Sequence, residues 1–146
     1  MARIDDGHST TISFGTGPSG TGPGITMWEK EITPPGMDGG GENDTSTMRN
    51  TLYRTKSPKS LITLTEMSIT VSYDTDIYND VIEMINTNQE ITITFPDTST
   101  LVFWGWLDKF TPAAVVEGEQ PTAEIVIVCS NQDADGDEIA PVLTPA

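Results

Sequence analysis

The sequence predicts a mainly β protein with a single helix and one unusually long loop, and three observations support this. Apolar residues alternate with polar ones in several short segments, as in strands with one buried face. Thirteen glycines and ten prolines favour many turns. Only residues 74–88 change to a helical period. Because 146 residues fit one domain, we expect a single β-sandwich or barrel over residues 1–146, with the helix packed on its outer side.

A hairpin over residues 90–110 is the clearest element. Residues 91–95 alternate between apolar residues and threonine, and residues 96–99 supply a turn. The return strand, residues 100–107, is almost continuously apolar, which predicts a strand that is covered on both faces or whose outer face meets another subunit. Gly105 lies between two tryptophans and indicates a bulge or the close approach of another backbone.

The N-terminal region predicts a flexible arm over residues 1–24, with a short strand near residues 10–14, and then a strand over residues 25–33. In that strand a period of two places Glu29 and Glu31 on one solvated face. Paired carboxylates can catalyse glycoside hydrolysis, but only in a cleft that gives them two different environments. A solvated face is therefore the favoured interpretation.

Residues 34–59 form a segment rich in Gly, Pro, Asp, Ser and Thr, too long for an ordinary connection. Its apolar residues argue against simple disorder. Its charges are sorted, with acidic residues first and basic residues after them: Asp38, Glu42, Asp44, then Arg49, Arg54, Lys56 and Lys59. Such a segment can pair with a second copy or another acidic surface.

The C-terminal half adds a strand, a helix and a last strand. Residues 61–73 present a hydroxyl face opposite an apolar one. In the helix, the apolar stripe is predicted at i, i+3, i+4 and i+7, which are Tyr78, Val81, Ile82 and Ile85. Residues 122–130 form the last strand, and residues 131–146 are predicted to be an acidic tail.

No catalytic, cofactor or metal site is predicted. Gly15, Gly17 and Gly20 satisfy G-x-G-x-x-G, but prolines stand where a dinucleotide-binding helix would begin. His8 is the only histidine and Cys129 the only cysteine, so no intrachain disulfide can form. The N-terminus shows no secretory signal, and no apolar run is long enough to span a membrane.

The tail imitates the first half of a calcium-binding loop. The matching residues are Asn131, Asp133, Asp135, Gly136 and Asp137. The twelfth position of such a loop needs Glu, whereas this chain has Val142, and no helices are predicted on either side. A solvated acidic tail is favoured over a cation site.

The formal charge of −15, from 22 acidic and 7 basic residues, argues against a free-standing nucleic-acid binder. Solubility, a surface that repels an acidic partner, and cation binding all remain open as explanations. An acidic surface would also let DNA pass without sticking.

The order of arm, strand, long loop, strand, helix, hairpin and strand resembles the tail tube proteins, or major tail proteins, of siphovirus bacteriophages. Three blocks carry the resemblance: residues 32–40 (ITPPGMDGG) with 44–48 (DTSTM), residues 64–74, and the hairpin from ITITFP at 91–96 to FWGW at 103–106. The hairpin is similar to a pattern in the tube domain of the lambda major tail protein. We expect no additional immunoglobulin-like domain.

The resemblance implies a tail-tube fold whose subunits close into hexameric rings, and rings that stack into a tube conducting DNA during ejection. It implies tape measure, tail terminator and tail tip proteins as partners, no cofactor, no membrane, assembly in the host cytoplasm and residence in the virion. DNA would pass the lumen without specific binding. The candidate lumen residues are Glu29, Glu31, Glu66, Ser68, Thr70 and Ser72, and the charged residues of the long loop are the inter-subunit candidates.

Two other functions stay open at this point. A secretion-system tube protein would share the fold and the ring but carry another cargo. A monomeric β-sandwich binding module would stay small and expose an aromatic platform. An enzyme is disfavoured because no nucleophile elbow, P-loop or metal cluster is readable.

Overall fold

The computed structural model describes residues 6–15 and 28–146, and it is mainly β with one short helix, as predicted. The strands are β1 (Thr11–Phe14), β2 (Glu29–Thr33), β3 (Met37–Asp38), β4 (Glu42–Asp44), β5 (Lys56–Pro58), β6 (Thr63–Leu64), β7 (Met67–Ser72), β8 (Gln89–Thr94), β9 (Thr100–Pro112), β10 (Thr122–Cys129) and β11 (Val142–Thr144); the helix is α1 (Thr75–Met84). No helix among the described residues is long and apolar enough to cross a membrane.

Six strands of a seven-stranded antiparallel sheet follow one another in the order β1-β8-β9-β10-β7-β2, and we call these six the main sheet. The predicted hairpin is β8 and β9. On its other side β9 pairs first with β11 and then with β10, so these two strands follow each other along the same edge of β9. The predicted C-terminal tail therefore ends in a strand that belongs to the sheet.

All six strands contribute to one hydrophobic core, because period 2 points every second side chain to the same face. In β7 the buried residues Met67, Ile69 and Val71 alternate with half-exposed hydroxyl residues, and β8 and β10 show the same alternation. Ile91, Ile93, Phe103, Leu107, Ile125 and Ile127 are fully or almost fully buried. Each such side chain contributes about 1.5–3 kcal/mol relative to an exposed position.

Strand β9 contains a bulge at Asp108, which has no partner in the register between Leu107 and Lys109. The extra residue interrupts the pairing of β9 with β10, as bulges do. The bulge is not at Gly105. A Cβ on Gly105 would collide with the backbone carbonyl of Val128, so the predicted close approach of another backbone is correct.

Helix α1 packs on the core through a different stripe from the predicted one. Ile77 and Val81 are buried and Met84 is partly buried against them, whereas Tyr78 and Ile82 are exposed. Both sets satisfy helical spacing, and their stripes are offset by one residue. The sequence pattern alone could not separate them, and the predicted stripe was wrong except at Val81.

The predicted N-terminal arm is only partly within the described residues. Residues 1–5 and 16–24 lie outside them. Thr11–Phe14 forms β1 as anticipated, at one edge of the sheet, with Ile12 opposite Ile93 and Phe14 opposite Ile91. This strand contributes two side chains to the core.

Candidate functional site

One face of the sheet carries hydroxyl and carboxylate groups. Directly opposed residues of antiparallel strands share a face, so the register identifies the members. Thr70 lies opposite Glu31 on β2 and opposite Glu124 on β10, while Ser68 lies opposite Thr33 and Ser72 opposite Thr122. We call this set the hydroxyl face: Glu31, Thr33, Ser68, Thr70, Ser72, Thr122 and Glu124.

Four of the six predicted lumen residues come together on this face: Glu31, Ser68, Thr70 and Ser72. Glu66 is exposed and precedes β7, outside the paired register. Glu124 and Thr122 were missed. Their alternation with Ala123 and Ile125 could have placed them on the polar side of β10, but no local pattern reveals that β10 pairs with β7 and so shares this face with Thr70 and Ser72.

The prediction that Glu29 and Glu31 share a face is wrong. A bulge at Lys30 places Glu29 opposite Val71, on the core side, while Glu31 lies opposite Thr70 on the other side. The two carboxylates therefore cannot converge on one substrate as an acid–base pair.

Glu29 has a structural contact instead. Its Oε1 accepts a hydrogen bond from the backbone N–H of Ile12 at 3.1 Å. Ile12 belongs to β1 and Glu29 to β2, which are the two edge strands of the sheet. The sheet is thus curled until its two edges face each other, and the Glu29 side chain connects them. We call this hydrogen bond between Glu29 and Ile12 the clasp.

The long segment after β2 folds back on itself as a two-stranded ribbon, which is separate from the predicted N-terminal arm. Strand β3 pairs with β6 through Met37 and Leu64, and β4 pairs with β5 from Glu42–Pro58 to Asp44–Lys56. We call residues 37–64 the arm and residues 45–55 its tip.

The sorted charges of the arm pair mostly with each other. Arg54 binds Asp44 at 3.0 Å and Lys56 binds Glu42 at 2.8 Å, both at exposed positions. The pKa of Asp44 is lowered, first by the backbone N–H and the hydroxyl of Ser46 and then by Arg54. Two of the four basic residues of the arm therefore have an acidic partner within their own chain, and the assignment of the arm charges to inter-subunit contacts stays a prediction.

Arg49 and Lys59 have no acidic partner among the described residues. Of the remaining arm candidates, Asp38 accepts a hydrogen bond from the N–H of Gly40 at 2.8 Å. The arm therefore keeps two cations for contacts outside its own ribbon.

Polar contacts give the tip a defined shape. Asn50 accepts from the N–H of Thr47 at 3.2 Å and donates to the carbonyl of Tyr53 at 2.7 Å. The N–H of Thr55 donates to the Ser46 hydroxyl at 2.9 Å, and the N–H of Thr45 donates to the Thr55 carbonyl at 2.9 Å. These bonds fix the backbone without burying any apolar group.

The apolar side chains of the tip are left in solvent. Met48 is fully exposed, Leu52 is 84% exposed and Tyr53 is 81% exposed. Leu61 and Ile62 at the base of the arm are also exposed. Single exposed apolar residues need no explanation, but several within one short segment are typical of a surface that another protein covers.

The acidic C-terminal turn has a local explanation. Carboxylate oxygens of Asp133, Asp135 and Asp137 lie within 4.8 Å of one another. The Asp133 carboxylate accepts N–H groups of Asp135 at 2.9 Å and Asp137 at 3.0 Å, which is the bonding of an Asx-type turn. The turn connects β10 to β11.

No family model matches the sequence, and no curated protein matches it significantly. Solved structures do match. A chain of the cryo-EM structure of the anti-feeding prophage (AFP) baseplate, 6-fold symmetrised, has a TM-score of 0.71 at 6% identity, covering 99% of this chain and 98% of that one.

Two further structures agree. The tail of an empty GTA particle, refined with C6 symmetry, gives a TM-score of 0.58 at 10% identity over 97% of this chain and 98% of that chain. The SPP1 tail tube gives 0.57 at 11% identity over 94% and 77%. This chain therefore has a tail-tube-type β fold, and the likeness extends over nearly its whole length.

Proposed function

We propose that this protein is the tail tube subunit of a siphovirus phage, which assembles into stacked hexameric rings and forms the conduit for DNA during ejection. The observation that carries the proposal is the arm. Its tip is shaped by hydrogen bonds, yet the apolar side chains of the tip, Met48, Leu52 and Tyr53, are left exposed by their own chain. A second copy of the subunit supplies the missing cover, and repetition of the contact builds a tube.

The hydroxyl face is proposed to line the lumen. It carries Glu31 and Glu124 and a row of hydroxyls, so it repels phosphate and offers no counterion release to DNA. Lys109, opposite Val126, is the one basic residue that the strand register places on this side. Glu29 is removed from the lumen set because it is the clasp between the edge strands.

The same proposal assigns the partners and the location. Tape measure, tail terminator and tail tip proteins would meet the tube along its lumen and at its two ends. DNA would pass without specific binding, assembly would occur in the host cytoplasm, and the mature location would be the virion tail. The role is structural rather than catalytic.

Electron microscopy of the purified protein tests the proposal directly. We expect tubes or hexameric rings, and we expect that replacing residues 39–56 by a short Gly/Ser linker leaves folded subunits or single rings that do not extend. Monomers alone, at all concentrations of the intact chain, would favour a monomeric binding module. Long tubes from the deleted chain would place the assembly surface outside the arm.

The lumen assignment has its own test. Glu31→Lys combined with Glu124→Lys should leave tubes intact, because both side chains are exposed, but should slow DNA ejection by the assembled particle. Lys109→Glu is the opposite change on the same face and should not slow it. Unchanged ejection with the double lysine variant would contradict the assignment.

A second candidate is a tube subunit of a particle that delivers cargo other than DNA. It would have the same fold, and the structure with a TM-score of 0.71 is described as a baseplate, so the likeness does not single out a phage tail tube. Co-assembly with a phage tail terminator and tape measure protein would support the phage tube; co-assembly with a protein cargo in the lumen would support the alternative.

A further inference from the structure

We propose that the arm tip of one subunit docks on the exposed face of helix α1 of another subunit. The inference deepens the proposed function, on which it rests, by naming the two surfaces that meet. The face of the helix is defined by Tyr78, Ile82, Glu83 and Ile85.

The tip has the composition of a binding surface. Residues 45–55 contain two arginines and no acidic residue, in a chain of net charge −15. Its exposed Met48, Leu52 and Tyr53 belong to the same eleven-residue segment as Arg49, which has no acidic partner in the described part of the chain. Tyr and Arg are enriched among the residues that dominate binding energy at interfaces.

The helix face has the complementary character. Helix α1, TDIYNDVIEM, contains three acidic residues and no basic one. The exposed apolar residues Tyr78 and Ile82 of the helix, and Ile85 directly after its last residue, lie beside the stripe of the buried Ile77 and Val81, and the Tyr78 ring also contacts Phe110 edge-on. The stretch from residue 60 to residue 108 contains no Lys, Arg or His, so no cation near the helix in sequence competes for its acids.

The two surfaces do not satisfy each other within one chain, because the apolar side chains of both are exposed. An extended chain rises about 3.3 Å per residue, so the arm from Gly36 to Asn50 reaches up to about 45 Å. A body of about 100 residues has a radius of gyration of about 13 Å, well below the maximum length of the arm. The arm is therefore long enough to cross the body of a neighbouring subunit and place its tip on the helix of that subunit.

Pairing apolar with apolar side chains and arginine with carboxylate would stabilise the correct contact and disfavour others. An acidic subunit surface repels a second acidic surface. The tip contains two arginines and no acidic residue, so it is not repelled by the acidic surface of another subunit. The pre-shaped tip also lowers the ordering cost of docking, since its backbone is already fixed by the Asn50 and Ser46 bonds.

Cross-linking of two single-site variants tests the contact. Leu52→Cys subunits are mixed with Ile82→Cys subunits and excess wild-type protein, and a short bis-maleimide is added to the assemblies. Native Cys129 can remain, because burial raises the pKa of its thiol to about 11 and keeps it protonated. We expect a covalent dimer, which in this mixture can only join different subunits.

The matched control pairs Leu52→Cys with Val115→Cys, another exposed apolar site. A dimer with Ile82→Cys well above this control supports the docking. If tubes form but the yield of cross-linked dimer is no higher than with the control pair, the inference is overturned and the proposed function still stands. Absence of tubes and rings, including from wild-type protein alone, overturns both.

Charge reversal provides an independent test. Arg49→Glu should raise the concentration needed for assembly by about tenfold, corresponding to about 1.4 kcal/mol per contact. Adding Glu83→Arg should restore part of the loss, whereas Lys109→Glu, which changes the net charge equally, should have little effect. Equal effects of Arg49→Glu and Lys109→Glu, with no rescue, would show only general repulsion and overturn the docking.

Discussion

The curled sheet and the arm are built from the same kinds of strand but are stabilised in different ways. Every strand of the main sheet has a side facing the core, and Ile69, Ile91 and Ile125 are completely buried. The arm is held by five opposed residue pairs, two in β3–β6 and three in β4–β5, and by two exposed salt bridges. The apolar side chains of its tip face solvent.

The difference separates stability from assembly. An exposed salt bridge contributes about 0–1 kcal/mol, less than one well-buried aliphatic side chain. The sheet and helix therefore account for the free energy of unfolding of the monomer, while the tip adds little to it. Substitutions in these two regions should affect different measurements.

The largest expected effect is at the core face of the helix. Val81→Asp places a carboxylate with no partner in the core and should lower the free energy of unfolding by about 3–5 kcal/mol. Ile82→Asp, one residue further on the exposed face, should change it by less than about 0.5 kcal/mol. Urea denaturation measures both, and equal losses would show that the helix does not bury the Val81 face.

The next effect concerns the clasp between the edges of the sheet. Glu29→Ala removes the acceptor for the Ile12 N–H and should cost about 1–2 kcal/mol, because a charged acceptor is lost from a part-buried bond. Glu31→Ala, on the solvated face, is the control and should be close to neutral. Similar thermal stability of the two variants would contradict the clasp.

The sequence could predict the elements that local periodicity determines. The hairpin of β8 and β9, the strand β7 and the existence of α1 all follow from patterns within about ten residues. The helix showed the limit of this approach. Ile77 lies four residues before Val81, and Ile82 lies four residues after Tyr78, so both fit an apolar helical stripe. Only the side on which the sheet packs selects Ile77 for the core.

The candidate site was less predictable because it depends on long-range pairing. Glu31 and Glu124 share a face only because β2 and β10 both pair with β7. Lys30 is an ordinary strand residue in the sequence, yet the bulge there separates Glu29 from Glu31. The sorted order of the arm charges can be read from the sequence, but the pairing of Asp44 with Arg54 depends on how β4 and β5 fold back on each other and could not be derived from that order alone.

A smaller effect is expected at the turn between β8 and β9. The Ser99 hydroxyl, followed by its backbone N–H, lowers the pKa of Asp97. The folded pKa is then below the unfolded value of about 3.9, so the stabilisation is present above about pH 4 and is lost as pH falls through the folded pKa.

Asp97→Asn removes this titration. The variant should melt slightly below wild type at neutral pH, and the difference should shrink as pH falls through the lowered folded pKa and the wild-type carboxyl becomes protonated. Melting curves over this pH range measure it. A difference that is constant with pH would show that the carboxylate charge is irrelevant to the turn.

The smallest effect on global stability is expected in the arm. Arg54→Ala breaks the 3.0 Å pair with Asp44, and because both side chains are exposed, the free energy of unfolding should hardly change. Locally the effect should be visible, since Asp44 also holds the Ser46 N–H at the start of the tip. Faster hydrogen exchange is expected at Thr45, whose N–H donates to the Thr55 carbonyl, with no change at Ile93 in the sheet. Exchange that accelerates at both positions would mean that the arm and the sheet open together, and the separation between stability and assembly would then fail.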